Sequence, residues 1–168
     1  MNIIRIVVGP LDTNCYLIEN NNQIIIVDPG EEADKIKEKI GNKQVGGIFL
    51  THKHFDHVGA LKEIQTSYQI STINPRIIEG FNYEIIKTPG HSKDSISIYF
   101  PDEKIMFVGD FIFYRSIGRT DFIGGNTTQM IASLDKIKNY PDDIKIYPGH
   151  YEETTLGAEK PFFSTYFK

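Results

Sequence analysis

Five histidines mark where this sequence can do chemistry: His52, His54, His57, His91 and His150. Three stand in Thr51-His52-Lys53-His54-Phe55-Asp56-His57, directly after an apolar run over 46–50. The other two each follow a Pro-Gly pair, in Thr88-Pro89-Gly90-His91 and Tyr147-Pro148-Gly149-His150, and Asp110 closes the run Ile105–Gly109. Each position is a strand end passing into a loop, where functional groups gather. A lone histidine is ordinarily a hydrogen-bonded core or surface residue. An H-x-H-x-D-H cluster, by contrast, arises in roughly three of ten thousand random chains of this length and composition. Imidazole and carboxylate donors without thiolate suit Zn(II), Fe(II) or Mn(II) and exclude a Cys-rich structural zinc site. His52, His54, Asp56, His57, His91, Asp110 and His150 are too many donors for one tetrahedral ion. Two ions sharing a carboxylate and a solvent-derived hydroxide would use them all. Spacing alone assigns no donor to either ion.

The elements that must position these groups are legible as short periodic runs. Residues 3–8, 15–18 and Gln23–Val27 are rich in β-branched and aromatic side chains and predict strands. Asn20-Asn21-Asn22 predicts the hairpin turn between the last two, since Asn tolerates positive φ. Asp28-Pro29-Gly30 breaks the sheet. Ala33, Ile36 and Ile40 then follow at helical spacing up to a capping Gly41. Residues 46–50 predict a buried strand and 58–68 a helix. A second series of strands is expected near 83–86, 95–100 and 104–108, with Pro101-Asp102-Glu103 as a turn. Asn126 is an N-cap for a helix over Thr127–Ile137 with Met130, Ile131, Leu134 and Ile137 as its apolar stripe. A final strand is expected over 144–147 and a last helical turn over 156–163. This order predicts two sheets with helices outside, an α/β layered domain.

Composition narrows the class. The 168 residues carry 18 Lys plus Arg against 22 Asp plus Glu, a net charge of −4, with no basic run. A nucleic-acid binder working through a basic face is therefore not expected. Apolar residues make up 40%, including 11 Phe and 9 Tyr, enough for a full core and incompatible with disorder. The length suits a single domain, 1–168. No apolar run is long enough for a signal-peptide core or a membrane span. One cysteine permits no internal disulfide, which fits the cytoplasm. The sequence assigns no oligomeric state.

The set Thr51-His52-x-His54-x-Asp56-His57 with Gly59, His91, Asp110 and His150 resembles the metallo-β-lactamase superfamily, specifically its dinuclear hydrolases. Asn14-Cys15-Tyr16-Leu17, Val27-Asp28-Pro29-Gly30, Thr88-Pro89-Gly90-His91 and Gly109-Asp110 resemble the glyoxalase II (hydroxyacylglutathione hydrolase) group more closely. The resemblance implies a four-layer αβ/βα sandwich with the metal site at the edge of its two sheets. It implies His52, His54 and His91 around one ion, Asp56, His57 and His150 around a second, and Asp110 bridging. It also implies a short member without the C-terminal helical domain that supplies part of the glutathione site in larger relatives. Gly118-Arg119 aligns with the family's glycine and thiol-carrier-contacting basic residue, so Arg119 is the expected substrate-binding group. Asp121 replaces a tyrosine that contacts glutathione in larger relatives. Tyr151-Glu152 replaces the usual Gly-Pro, and Asp94 stands where glycine is common.

The expected reaction is hydrolysis of a small acyl thioester, with S-lactoylglutathione as the leading example by resemblance. Two divalent cations, Zn(II) first and Fe or Mn otherwise, would lower the pKa of a bridging water from 15.7 towards about 7 and stabilise the oxyanion. Asp56 is the expected catalytic residue, orienting the hydroxide or accepting its proton. The alternatives are a related hydrolase of lactones or phosphodiesters, a mononuclear-iron persulfide dioxygenase-like oxidoreductase, and a non-catalytic metal-binding module. Cys15, in an apolar strand, reads as a buried structural thiol. Asp28 reads equally as an ordinary turn residue and as a group orienting a metal ligand. Gly124-Gly125-Asn126 is a weak anion-cradle signal, Lys93 and Arg115 read as surface charges, and the aromatic tail over 162–167 reads as a cover for the core.

Overall fold

A computed structural model describes residues 1–167 and divides the chain into two compact units, Met1–Asn82 and one beginning at Tyr83. The first unit is a four-stranded sheet, β1 (Asn2–Val8), β2 (Thr13–Asn20), β3 (Gln23–Val27) and β4 (Gln44–Phe49), in that spatial order. The β1–β2 and β2–β3 pairs are antiparallel. The expected hairpin turn is present, with Asn21 at φ 54°. β3 and β4 run parallel, and α1 (Ala33–Ile40) makes the crossover. At eight residues α1 is too short to be stable alone. Ile36 and Ile40 bury it against Ile24, Ile26 and Ile48, and each such side chain contributes about 1.5–3 kcal/mol. Gly41, at φ 60°, ends it as expected.

The single helix expected over 58–68 is instead two, α2 (Phe55–Val58) and α3 (Leu61–Tyr68). The physical cause is a contact with the Asp28-Pro29-Gly30 turn. The Ala60 N–H donates to the carbonyls of Pro29 and Gly30 at 3.1 and 2.9 Å rather than continuing a helical ladder. A Cβ on Gly59 would come within 2.3 Å of the Gly30 carbonyl oxygen, so only glycine permits this approach. α2 thereby starts inside the histidine cluster.

The second unit contains β5 (Glu84–Lys87), β6 (Ile96–Phe100), β7 (Ile105–Gly109), the small hairpin β8 (Ile112–Phe113) and β9 (Ser116–Ile117), α4 (Thr127–Ile137), β10 (Lys145–Pro148), β11 (Thr154–Thr155) and α5 (Leu156–Glu159). Its main sheet has the order β11-β10-β7-β6-β5, with β10 and β7 parallel and the other pairs antiparallel. Met130, Leu134 and Ile137 of α4 pack on Met106, Val108 and Ile146. Ile131 does not belong to this stripe: it is 39% exposed, and Ser133 occupies the buried face, donating to the Pro89 carbonyl at 2.7 Å. One helical step of about 100° carries position 131 off the face that 130, 134 and 137 share. Strand β10 is not the last, because β11 pairs with it. The β8–β9 hairpin and β11 are two-residue strands too short to leave a periodic signal. Phe163 is buried in this unit's core with Tyr166 and Phe167 packed beside it, so the aromatic tail does cover apolar surface. Among the described residues no helix is long and apolar enough to cross a membrane.

Candidate metal centre

The parallel pair β3–β4 sets the first group of donors. The Asp28 N–H donates to the Phe49 carbonyl at 2.9 Å, which places the Asp28 carboxylate alongside Thr51 just past the end of β4. Asp28, 1% exposed, receives the Thr51 N–H on Oδ1 at 2.7 Å and the Thr51 hydroxyl on Oδ2 at 2.6 Å. The same Oδ2 lies 2.9 Å from His57 Nδ1. Asp28 therefore does more than make a turn: it orients the cluster. Asn74 adds a second brace, receiving the Leu50 N–H at 2.8 Å and donating to the Leu50 carbonyl at 3.1 Å. Asp56, 8% exposed, accepts the Thr13 hydroxyl at 2.9 Å.

These contacts determine which ring nitrogens can bind a cation. The Thr51 hydroxyl donates to Asp28, so its oxygen accepts from His52 Nδ1 at 3.1 Å and leaves His52 Nε2 as the lone-pair atom. His57 Nδ1 donates to Asp28, which leaves its Nε2 in the same state. In the second unit His91 Nδ1 donates to the Arg119 carbonyl at 2.9 Å, again freeing Nε2 as the donor to a metal. Such outer partners are what holds a metal-binding imidazole in one tautomer.

The spacing of the donor atoms fits divalent ions. Two donors about 2.0–2.1 Å from one tetrahedral ion stand about 3.3 Å apart. In the first unit His52 Nε2 and His54 Nδ1 are 3.1 Å apart, and His57 Nε2 and Asp56 Oδ2 are 3.4 Å apart. In the second, Asp110 Oδ2 is 3.5 Å from both His91 Nε2 and His150 Nε2. Asp110 thus stands between these two histidines. Its setting comes from a close backbone approach, since a Cβ on Gly118 would lie 1.8 Å from the Asp110 carbonyl oxygen. Asn126 caps α4 by accepting the Gln129 N–H at 2.9 Å, and its own N–H binds the Gly90 carbonyl next to His91. This accounts for the Gly124-Gly125-Asn126 signal as a helix cap.

The remaining expected groups divide. Arg119 does not present a free guanidinium: Nε and an NH2 nitrogen each bond Asp121 at 2.7 Å, and the charge lies 4.0 Å from the Phe122 ring centroid. The Arg119 hydrogen bond pushes the Asp121 carboxyl down to about 2. Cys15 is fully buried, and burial, followed by the nearby Asp28 charge, pushes its thiol well above the usual range. It is a structural thiol, not a nucleophile. Thr13, Asn74 and the Arg119 carbonyl were not legible as parts of the site. Thr13 and Asn74 are ordinary polar residues distant in sequence, and a backbone carbonyl leaves no sequence signal.

Two stretches, residues 8–81 and 76–150, match the sequence model of the metallo-beta-lactamase superfamily. The chain belongs to the metallo-β-lactamase superfamily. Its α/β layers, one helix-backed sheet in each unit, are those of the superfamily's αβ/βα class. It is 33% identical to a probable metallo-hydrolase, YqgX, of Bacillus subtilis, over 93% of each chain. It is 30% identical to the hydroxyacylglutathione hydrolase GloC of Haemophilus influenzae, over 98% of this chain and 99% of the relative. Among solved structures, it is similar to the B3 metallo-beta-lactamase BLEG-1 (TM-score 0.91, 29% identity, 97% of this chain and 100% of that one). It is also similar to TTHA1623 in a di-iron-bound form (TM-score 0.84, 28% identity, 93% and 96%) and to ETHE1 from Myxococcus xanthus (TM-score 0.85, 27% identity, 95% and 82%). The protein is a superfamily metallo-hydrolase whose histidine and aspartate donors suit divalent metal ions.

Proposed function

We propose that the protein hydrolyses a small acyl thioester in the manner of the glyoxalase II group, with S-lactoylglutathione the first substrate to test. The observation that carries this reading is the near full-length likeness to a hydroxyacylglutathione hydrolase in a chain that keeps every donor of the dinuclear set. In this reading His52, His54 and His91 hold one divalent ion, and Asp56, His57 and His150 hold the other. Asp110 is shared, and Zn(II) is the first choice of metal. When bound, the ions would supply Lewis acidity and make hydroxide available at neutral pH.

The chain's own residues do the rest. Asp28 holds His52, through Thr51, and His57 in the tautomers that leave Nε2 unprotonated. The Arg119 carbonyl does the same for His91. Thr13 donates to Asp56 Oδ2, orienting the carboxylate that accepts the proton of the attacking water. A thiolate leaves readily, so no strong general acid is required. Arg119 would reach a carboxylate of the thiol carrier only by exchanging Asp121 for it. A cytoplasmic location is supported by the single buried cysteine.

Elemental analysis of the metal-replete protein, paired with turnover of thioesters, lactones, phosphodiesters and a β-lactam, tests the reading. Two equivalents of metal and preferential thioester cleavage are expected, with His150→Ala losing about one equivalent. A firm value of one, as iron, would favour instead the persulfide dioxygenase-like reading, which the likeness to ETHE1 supports.

A further inference from the structure

A cavity of about 500 Å³ opens in the second unit beside His150, lined by Tyr114, Ser116, Tyr151, Glu152 and Glu153. Its wall is continuous with the histidine. The Phe113 ring centroid lies 5.6 Å from that of Tyr151 and 6.3 Å from that of His150. Tyr114 and Tyr151 are 59% and 71% exposed, so both present ring surface to an incoming molecule. The lining residues carry acidic charge and no basic charge. Lys145 reaches Glu153 at 2.6 Å and neutralises it, whereas Glu152 has no ion pair among the described residues. Arg115, the neighbouring cation, stacks on Phe162 at 4.1 Å, with the Tyr114 ring farther off at 5.6 Å. In the loop below His91, Asp121 cancels the charge of Arg119. The lining therefore offers an anionic thiol carrier no basic side chain, while a cation meets two aromatic rings, a hydroxyl oxygen and a carboxylate. That is the chemistry that recognises ammonium groups.

We propose that this cavity binds a cationic, ammonium-bearing arm of the substrate, between the Tyr114 and Tyr151 rings and opposite Glu152. The word substrate rests on the thioesterase reading; the cation site does not. Tyr151 and Glu152 occupy the positions directly after His150, so the site would set which thioesters place their carbonyl at the metal centre.

The test has a binding arm and a turnover arm, both on the metal-replete protein. Choline is the binding probe and propionate its anionic control, followed by NMR of the tyrosine rings. Choline should shift the Tyr114 and Tyr151 resonances saturably, and propionate should not. Glu152→Gln should weaken choline binding about two- to fivefold, the scale of an exposed charge pair. Tyr151→Gly removes a ring at a position whose φ of 64° suits glycine, and should weaken it at least as much. In the turnover arm, acetylthiocholine, S-acetyl-N-acetylcysteamine and S-acetyl-3-mercaptopropionate share one acyl group on cationic, neutral and anionic carriers. The kcat/KM of the cationic ester should exceed that of the anionic one by about tenfold, and Glu152→Gln should shrink that ratio through KM. Equal or absent shifts with choline and propionate overturn the cation site. Choline binding without turnover of any ester keeps the site and removes the thioesterase reading. Turnover of all three without charge order keeps the thioesterase and removes the site's role in selection.

Discussion

The two histidine-bearing regions are held in place by different means. In the first unit the donors His52, His54, Asp56 and His57 are nearly contiguous, and side chains hold them: Asp28, Thr51 and Thr13, all 1% exposed. In the second unit His91, Asp110 and His150 come from three separate strand ends, and main chain positions them. His91 is oriented by a carbonyl, Asp110 sits against the backbone at Gly118, and the Gly149 N–H bonds the Gly109 carbonyl at 2.9 Å. Contiguous donors on a loop and a one-turn helix need an external anchor, because the loop itself fixes little. Asp110 and His150, at the ends of the parallel neighbours β7 and β10, inherit their spacing from the sheet. The first region is therefore vulnerable to loss of a single side chain as well as to a methyl at Gly30 or Gly59, whereas the second is vulnerable chiefly to insertion of a methyl group.

Asp28→Ala should break the comparison most severely. It leaves the Thr51 N–H, the Thr51 hydroxyl and His57 Nδ1 buried without their acceptor, a loss of about 3–5 kcal/mol by analogy with breaking a buried charged pair. Urea unfolding measures this, and metal titration should show at least a tenfold weaker affinity. A variant with unchanged midpoint and metal affinity would show that the loop holds itself. Gly118→Ala comes next, at about 2–3 kcal/mol, because its methyl meets backbone that cannot rotate away. Its effect on His91 and Asp110 should be visible as perturbed imidazole NMR signals, with the His52 and His57 signals less changed.

Cys15→Ala should cost about 1 kcal/mol from lost packing and leave turnover per folded molecule nearly intact. Loss of turnover in a folded, metal-replete variant would contradict a purely structural thiol. Arg119→Ala should be the mildest, leaving the urea midpoint nearly unchanged, since both partners of its ion pair are more than half exposed and His91 is held by the carbonyl that alanine retains. The sharper readout is pH. Arg119 depresses the folded-state pKa of Asp121 to about 2, so the pair's small stabilisation is present above the ordinary carboxylate pKa and disappears as pH falls through the depressed value. In Arg119→Ala the Asp121 titration followed by NMR should return upward towards the ordinary carboxylate range.

The candidate donors stood out in the sequence because ligand chemistry demands particular residue types, and a cluster of them is improbable by chance. Strands β1 to β3 and helices α1 and α4 were legible because apolar periodicity and caps such as Gly41 and Asn126 are local properties of the chain. The break at Gly59 was not, because its cause is the carbonyl of Gly30, distant in sequence. Residue type did not decide the pairing of Arg119 with Asp121, since the same guanidinium can serve a substrate or a neighbour.

By itself, then, the chain's order of residues determined the candidate donor set, the strand ends that carry it and the α/β class, all written in residue type and short-range period. Tertiary structure alone decided which nitrogen of His52, His57 and His91 keeps its lone pair, that Asp28 orients the cluster as well as making a turn, and that Arg119 contributes a carbonyl to His91. These are properties of hydrogen bonds between segments far apart in sequence. Their geometry exists only once β3 lies beside β4 and the loop after β7 folds back on His91.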